Sequence, residues 1–350
     1  MFLQSNVIHP KGKEKKQMQD KIILKKNARQ RLELTNTDLK LLAFLEQQRL
    51  LTLQQFYQAA KHLFELGIKE YSFKNRIRKF EDYHLIRSEH YSKGFEGERF
   101  KFLAIGSKAV DILIENGLLD QSYNKPKIYK FNQKKNLLHF IATQQAALNI
   151  LTTFNKKAIR DPNTNKTKYP IIYNQTSFSY SPAMYPYTEW VRKHKNLHRQ
   201  NNGAYHAEIA KYMTTGSKAG NKLNGATMTI VKPDWIIKLK GTPEVRDAII
   251  NIEMDMGTEP IETLAQKLFK YAILAEKNPE VLHIMDIVIV DNSLSNRSSF
   301  SDGISRTKNI LQRFKSDSAV IKRLKESGLK LIVHPLGLNV NQLYKTLRKY

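Results

Sequence analysis

Two strand-like segments, a helical pattern and a third strand-like segment follow one another in the second half of the chain. They are TIVKPDWIIKLKG (229–241), RDAIINIEMDMG (246–257), IETLAQKLFKYAILAE (261–276) and HIMDIVIVDN (283–292). A sheet must bury its faces under helices, so this order predicts an α/β core for the second half. A basic helix from about Ser305 and a final strand, LKLIVHPLG, extend the same pattern.

Residues 35–80 have helical rather than strand patterns. The sequences TNTD and TLQQ are capping boxes, which predict that Thr35 and Thr52 are helix N-caps. A third helix is predicted to follow Ser72, with a buried face that contains Phe73, Ile77 and Phe80. The first half is therefore expected to be mainly helical.

A β-hairpin and a fourth helix are predicted after these three helices. The hairpin turns around Gly94 and Gly97, and the helix runs from about Gly106 to Asn116. Three helices followed by a hairpin are the order of a winged helix-turn-helix, whose third helix enters the DNA major groove and whose wing lies on the backbone. The expected fold class is α+β, with boundaries at 1–34 (basic arm), 35–122 (winged helix) and 130–350 (α/β domain).

The charge balance favours a polyanionic partner. The chain has 58 Lys and Arg against 32 Asp and Glu, a formal net charge of +26. Such an excess is typical of nucleic-acid binding, although a basic surface kept for solubility or attracted to acidic membranes has the same composition. Residues 11–31 carry nine basic and two acidic residues and are interpreted as a flexible basic arm.

Candidate DNA contacts lie in three basic groups. They are expected on the third helix, on the hairpin and in the segment RKHKNLHR, with simple solvation as the alternative for each. The candidates are Lys74, Asn75, Arg76, Arg78, Lys79, Lys93, Arg99, Lys101, Arg192, Lys193, Lys195 and Arg199.

The segment between the two halves combines a helix with loops. NLLHFIATQQAALNILTTF, from near Asn136, is interpreted as a helix, and residues 161–203 as loop-like because they are rich in Pro, Asn and Tyr. AYHAEIAKYM is predicted to form a short helix that carries Glu208.

Three acidic residues fall at neighbouring strand positions of the predicted α/β core. Asp234 follows Pro233 in the first strand, and Glu253 and Asp255 lie two apart in the next, so their side chains share one face. Three converging carboxylates would need a hard cation, and Mg²⁺ or Mn²⁺ suits phosphate chemistry. An isolated acid pair at a strand end is, in contrast, usually solvated.

The helix after the acids carries Lys267 and Tyr271 four residues apart, on one helical face. A lysine directed at the cation could position a water or stabilise charge on a phosphate oxygen.

The segment PDWIIKL…IINIEMDMGTEPIETLAQKLFKYAILAE resembles the replication-relaxation family of plasmid and mobile-element proteins. The likeness follows element order over most of residues 35–315 and is most specific at 232–271. The second half also looks like the PD-(D/E)XK nuclease fold, and the pairing with a winged helix is similar to MobC-type relaxases. The resemblance implies motif acids at Asp234 and Glu253, with Glu208 as the acid on the preceding helix. It also implies nicking of double-stranded plasmid DNA at a transfer origin, in concert with other transfer or replication proteins.

One position departs from the nuclease motif. The motif lysine belongs two residues after the Glu, where this chain has Asp255. Either Lys267 replaces that lysine from the helix, or the site is inactive. The two function hypotheses are therefore a metal-dependent DNA nickase and a non-catalytic DNA-binding protein that regulates plasmid replication or transfer.

Several other classes of protein are disfavoured. The chain has no Cys, which removes thiolate zinc sites and favours a cytoplasmic location, and its Lys-rich start is unlike a secretory signal. It contains no His-hydrophobic-His motif of ordinary relaxases and no Gly-rich phosphate loop. No apolar run reaches the ~18 residues of a membrane span.

Overall fold

The computed structural model describes eleven ranges of the chain. They are residues 21–27, 30–92, 99–121, 123, 137–154, 175–178, 221–223, 226–228, 233–241, 246–291 and 303–347.

Nine helices and twelve strands lie within these ranges, along with a 3₁₀ turn, Leu336–Leu338. The helices are α1 Asn36–Gln48, α2 Leu53–His62, α3 Glu70–Asp82, α4 Ser107–Glu115, α5 Leu137–Phe154, α6 Ile261–Lys277, α7 Gly303–Ser316, α8 Ser318–Ser327 and α9 Asn339–Leu347. The strands are β1 Lys21–Lys25, β2 Arg31–Thr35, β3 Leu51–Thr52, β4 Ile86–Ser92, β5 Arg99–Ile105, β6 Gln175–Phe178, β7 Asn221–Leu223, β8 Ala226–Met228, β9 Trp235–Lys240, β10 Ala248–Asp255, β11 Leu282–Ile289 and β12 Lys330–Pro335. The chain is thus α+β, as predicted.

The chain divides into two compact units. The first comprises residues 1–51, 68–89 and 102–130, and the second comprises 52–67, 90–101 and 131–350. The division differs from the predicted boundaries at 122 and 130, because α2 belongs to the second unit. The side-chain amide of Gln55 on α2 donates to the Ile141 carbonyl of α5 at 2.9 Å.

The N-terminal elements follow the order of a winged helix. Three helices precede the β4–β5 hairpin, and β3, β5 and β4 form a three-stranded sheet in that order. Both capping boxes are confirmed: the Thr35 and Thr52 side chains accept from the backbone amides of Asp38 and Gln55.

The start of α3 differs from the prediction. The helix begins at Glu70 with Lys69 as its N-cap, so Ser72 lies inside its first turn. The Lys69 side chain makes no capping hydrogen bond, so Ser72 was the nearest apparent start signal in the sequence. The predicted inner face is confirmed, since Phe73, Ile77 and Phe80 are buried.

The prediction of a flexible arm is wrong for its described part. β1 and β2 pair antiparallel from Lys21–Thr35 to Lys25–Arg31. Leu32 and Leu34 are buried while their neighbours on β2 are exposed. This two-residue alternation of apolar and polar side chains stabilises a hairpin despite the high positive charge.

The second unit contains a five-stranded mixed sheet with the order β12-β11-β10-β9-β6. β10, β11 and β12 are parallel, whereas β9 pairs antiparallel with both β10 and β6. β6 lies inside the segment that was interpreted as loop, so that prediction is wrong for Gln175–Phe178. Asp234 precedes β9 rather than lying within it.

The two faces of this sheet are covered by different helices. Ile250 and Ile252 of β10 belong to an apolar core with α5 and α9. Met285 and Ile287 of β11 belong to a second core with α6, α7 and α8. α9 was not anticipated from the sequence. None of the helices in the described part of the chain has the length and apolar character needed to cross a bilayer.

Candidate functional site

Polar side chains interrupt the buried strand β10 at its carboxyl end. Ile250, Ile252 and Met254 point into the core beneath α5. Glu253 and Asp255 alternate with them and are directed at the opposite helices, and both are almost fully buried. Because a buried carboxylate needs compensating donors and such groups are common at functional sites, this end of the strand is the candidate functional site.

Glu253 is held by two side chains from α6. The Lys267 ammonium donates to its Oε2 at 2.9 Å, and the Tyr271 hydroxyl donates to its Oε1 at 2.5 Å. Lys267 and Tyr271 are one helical turn apart, and the buried Leu264 and Leu268 fix that face of α6 against the sheet. The structure therefore brings together three of the residues predicted from the sequence.

The pKa of Glu253 is raised to about 7. Burial raises it, the positive charge of Lys267 lowers it, and the negative charge of Asp234 raises it again. Burial lowers the pKa of Lys267, but the charges and hydrogen bonds of Glu253 and Glu259 outweigh burial and raise it overall. The Lys267 ammonium is therefore retained at neutral pH.

Glu259 is a member of this site that sequence reasoning missed. Its Oε2 accepts from the Lys267 ammonium at 3.0 Å, so Lys267 bridges two carboxylates. Glu259 lies in the turn between β10 and α6, and only its position in the EMDMGTE segment hinted at a role.

Asp255 forms an ion pair with a different basic side chain, that of Arg306. Its Oδ2 accepts from the Arg306 Nε of α7 at 2.9 Å, and its Oδ1 accepts from the Gly257 amide at 2.8 Å. The other end of the Arg306 guanidinium donates to the Glu259 carbonyl. Arg306 was not predicted either, although the basic pattern of α7 was.

Asp234 lies beside the end of β10 through main-chain pairing. Its amide donates to the Ile252 carbonyl at 3.0 Å, and its Oδ2 accepts from the Met254 amide at 2.8 Å. His139 of α5 approaches the same oxygen, with its Nε2 at 3.4 Å. Burial lowers the pKa of His139, but the hydrogen bond and negative charge of Asp234 raise it above its ordinary value. His139 was not predicted as a site residue.

The expected cluster of three converging acids is not formed. Among the residues that the structure describes, no three His, Cys, Asp or Glu side chains are grouped as metal ligands. The physical reason is that α6 and α7 each supply a cation, so Glu253 and Asp255 are neutralised separately. The negative charge of Asp234 contributes to the raised pKa of Glu253. Mg²⁺ is often held by one or two carboxylates together with substrate phosphates, and these two acids fit that donor set.

The basic residues predicted on α3 fall into two groups, three that are exposed and one that is paired with a carboxylate of another helix. Lys74, Arg78 and Lys79 are exposed. Lys74 pairs with Glu70 one turn away at 2.7 Å, and Arg78 donates to the Asn75 side chain at 3.4 Å.

Arg76 differs from these residues. Its Nη2 and Nε donate to the two carboxylate oxygens of Asp38 at 2.5 and 3.2 Å, so its guanidinium is used inside the first unit. Its predicted contact with DNA would compete with this ion pair.

The remaining predicted residues are only partly described. Lys101 is half-buried in β5, and Arg99 lies in the same strand. The others lie outside the described residues: Lys93, Arg192, Lys193, Lys195, Arg199 and Glu208.

These features define an α+β protein that combines a winged-helix order of elements with a buried acid–lysine site at the carboxyl end of the central strand of a mixed sheet. The family model described as Replication-relaxation matches residues 42–283. The chain belongs to the replication-relaxation family.

No curated protein matches the chain significantly. Among solved structures, it is similar to Bacillus subtilis PadR in complex with operator DNA, with 13% identity over 51% of this chain and 82% of the PadR chain. The TM-score is 0.19.

Proposed function

We propose that this protein is a site-specific DNA-binding protein whose second unit nicks double-stranded DNA with the help of Mg²⁺ or Mn²⁺. The substrate would be an origin region of a plasmid or mobile element, as in the MobC-type relaxases that the sequence resembles. The observation that carries the proposal is the meeting of Asp234, Glu253 and Lys267 at the end of β10.

The order of elements in the second unit supports this proposal. The central sheet and its helices are built in the order α5, β6, β9, β10, α6 and β11, with the β7–β8 pair between β6 and β9. Apart from that pair, the order is helix, three strands, helix and strand. Asp234 precedes the second of these strands and Glu253 lies in the third, which are the motif positions implied by the resemblance to PD-(D/E)XK nucleases. Lys267 reaches Glu253 from the following helix, as expected if it replaces the motif lysine.

Each residue would have a distinct role. Asp234 and Glu253 would hold the divalent cation, which when bound activates water and neutralises phosphate charge. Lys267 would stabilise charge on a phosphate oxygen, and Tyr271 orients the Glu253 carboxylate through its hydrogen bond. His139 restrains Asp234 from the other side of the sheet.

DNA recognition would fall to α3 and the hairpin that follows it. The formal charge of +26 and the exposed Lys74, Arg78 and Lys79 support binding to a polyanion. In a winged helix the third helix carries the base contacts, so α3 is the element expected to give sequence preference.

A non-catalytic DNA-binding protein is the second candidate. Both Glu253 oxygens are engaged by α6, and Asp255 is paired with Arg306. A DNA-binding protein that regulates plasmid replication or transfer and has a degenerate, inactive nuclease site would have the same contacts.

A nicking assay separates the two candidates. Supercoiled plasmid that carries the protein's own origin region is incubated with the protein and Mg²⁺ or Mn²⁺. The nickase proposal expects conversion to open circles by the parent and none by Glu253→Gln, with equal duplex binding by both. A parent that binds this DNA but leaves it supercoiled with either metal would favour the regulator.

A further inference from the structure

The Lys267 ammonium has two carboxylate acceptors. Its distances to Glu253 Oε2 and Glu259 Oε2 are 2.9 and 3.0 Å. An ammonium has three donors, so it can satisfy both acids at once. The acids differ in exposure: the Glu253 side chain is 4% accessible and that of Glu259 is 26% accessible.

The position of Glu259 is fixed by its backbone. Arg306 donates to the Glu259 carbonyl and, through Nε, to Asp255 at 2.9 Å. The Gly257 amide donates to the same carboxylate, and Gly257 has a φ of 81°, which favours glycine. The turn from 256 to 260 is therefore anchored at both ends, and the Glu259–Lys267 contact is part of a fixed arrangement.

A cation that binds Glu253 must compete with Lys267. Both oxygens of Glu253 are already occupied by Lys267 and Tyr271. If the ammonium were displaced with no other acceptor, a half-buried charge would lose its partner, which is costly. Glu259 removes this cost because the ammonium can stay on its carboxylate.

We propose that Glu259 is a positioning residue that retains the Lys267 ammonium at the site when a divalent cation takes Glu253. This inference rests on the proposed metal-dependent function. Its consequence is that Glu259 promotes cation binding through Lys267 rather than as a ligand.

A double-mutant cycle on the full-length chain tests this role. Mn²⁺ affinity is measured by calorimetry without DNA for the parent, Glu259→Gln, Lys267→Met and the double variant. We expect Glu259→Gln to weaken binding about tenfold, which corresponds to about 1.4 kcal/mol. In the Lys267→Met background the same change should alter affinity by less than about twofold.

Two further variants serve as controls for side-chain length and for the loss of charge. Glu259→Asp keeps the charge but shortens the side chain, so it should also weaken Mn²⁺ binding if the contact with Lys267 matters. Glu262→Gln removes the same charge from an exposed position nearby and should have no effect. Thermal unfolding of each variant confirms that it is folded.

The outcomes separate this inference from the proposed function. Equal weakening by Glu259→Gln in both backgrounds would mean that its charge acts directly on the cation, which overturns the positioning role alone. An unchanged affinity in Glu259→Gln and Glu259→Asp would also overturn it alone. A parent that binds no Mn²⁺ and nicks no origin DNA would overturn the proposed metal-dependent function and this inference with it.

Discussion

The exposed face of α3 and the acid site at the end of β10 both concentrate charge, but they differ in what the charge contacts. On α3, Lys74 pairs with Glu70 and Arg78 donates to Asn75, both neighbours on the same helix, and both cations remain exposed. At the acid site, Lys267 and Arg306 each neutralise a buried carboxylate. The difference shows that exposed charge is available to a partner at low desolvation cost, whereas paired charge fixes the geometry of a site.

The largest expected effect concerns Glu253. Replacing it with Gln removes a carboxylate that the proposed cation needs, so we expect nicking of origin plasmid to fall by at least ~100-fold. DNA affinity should stay unchanged, because α3 is untouched. The measurement pairs a nicking time course with a binding titration. Nicking at the parent rate by this variant would show that the acid site is not the catalytic one.

The next effect concerns stability. Asp255→Ala leaves the Arg306 guanidinium, whose side chain is 22% accessible, without its carboxylate. We expect the free energy of unfolding to fall by about 3 kcal/mol, measured by urea denaturation. Glu326→Ala breaks the exposed Lys322–Glu326 pair and should cost less than ~0.5 kcal/mol. If both variants lose the same stability, the Asp255–Arg306 pair has no special structural role.

A smaller effect is expected on α3. Arg78→Ala combined with Lys79→Ala should reduce the slope of log affinity against log salt by about two, because each phosphate contact contributes about 0.9. Lys322→Ala with Lys325→Ala removes the same charge from α8 and should leave the slope nearly unchanged. Identical slopes in the α3 variant and the parent would place the DNA surface elsewhere.

Arg76→Ala should mainly lower stability, because Arg76 pairs with Asp38.

The smallest effect is a pH dependence. The folded-state pKa of Glu253 is raised from its ordinary value of 4.5 to about 7, so the folded chain holds this proton more tightly than the unfolded chain. The resulting stability is present below pH 4.5 and is lost as the pH rises through about 7. Relative to Glu253→Gln, the parent should therefore become less stable as the pH rises through this range. Parallel curves of unfolding free energy against pH would contradict the raised pKa.

Short-range features of this fold were predictable from the sequence. Capping boxes at Thr35 and Thr52 depend on residues three apart, and Lys267 and Tyr271 share a face because they are four apart. The antiparallel pairing of β9 with β10 was predicted from the two strand patterns within residues 229–257. The family was predicted from residues 232–271, and the family model matches residues 42–283. The assignment of Asp234, Glu253 and Lys267 to one site depended only on such local patterns.

Contacts between distant residues could not be predicted. Arg306 lies 51 positions from Asp255, and His139 approaches Asp234 from α5. Nothing in the local pattern around either residue distinguishes it from an ordinary solvated or core side chain. The β1–β2 hairpin was missed for another reason: the positive charge of residues 11–31 obscured the alternation of Ile and Leu with Lys and Arg.

The Asp255–Arg306 pair also determines when the acid site can be completed during synthesis. β10 and α6 leave the ribosome first, so Glu253 can meet Lys267 while the chain is still growing. Asp255 must wait for α7, and β11 has an unpaired edge until β12 emerges and pairs in parallel with it. Slow parallel pairing of this kind leaves a nascent chain open to misassembly. We therefore expect the turn that holds Glu259 to reach its final geometry only after α7 has been synthesised, because Arg306 of α7 contacts both Asp255 and the Glu259 carbonyl.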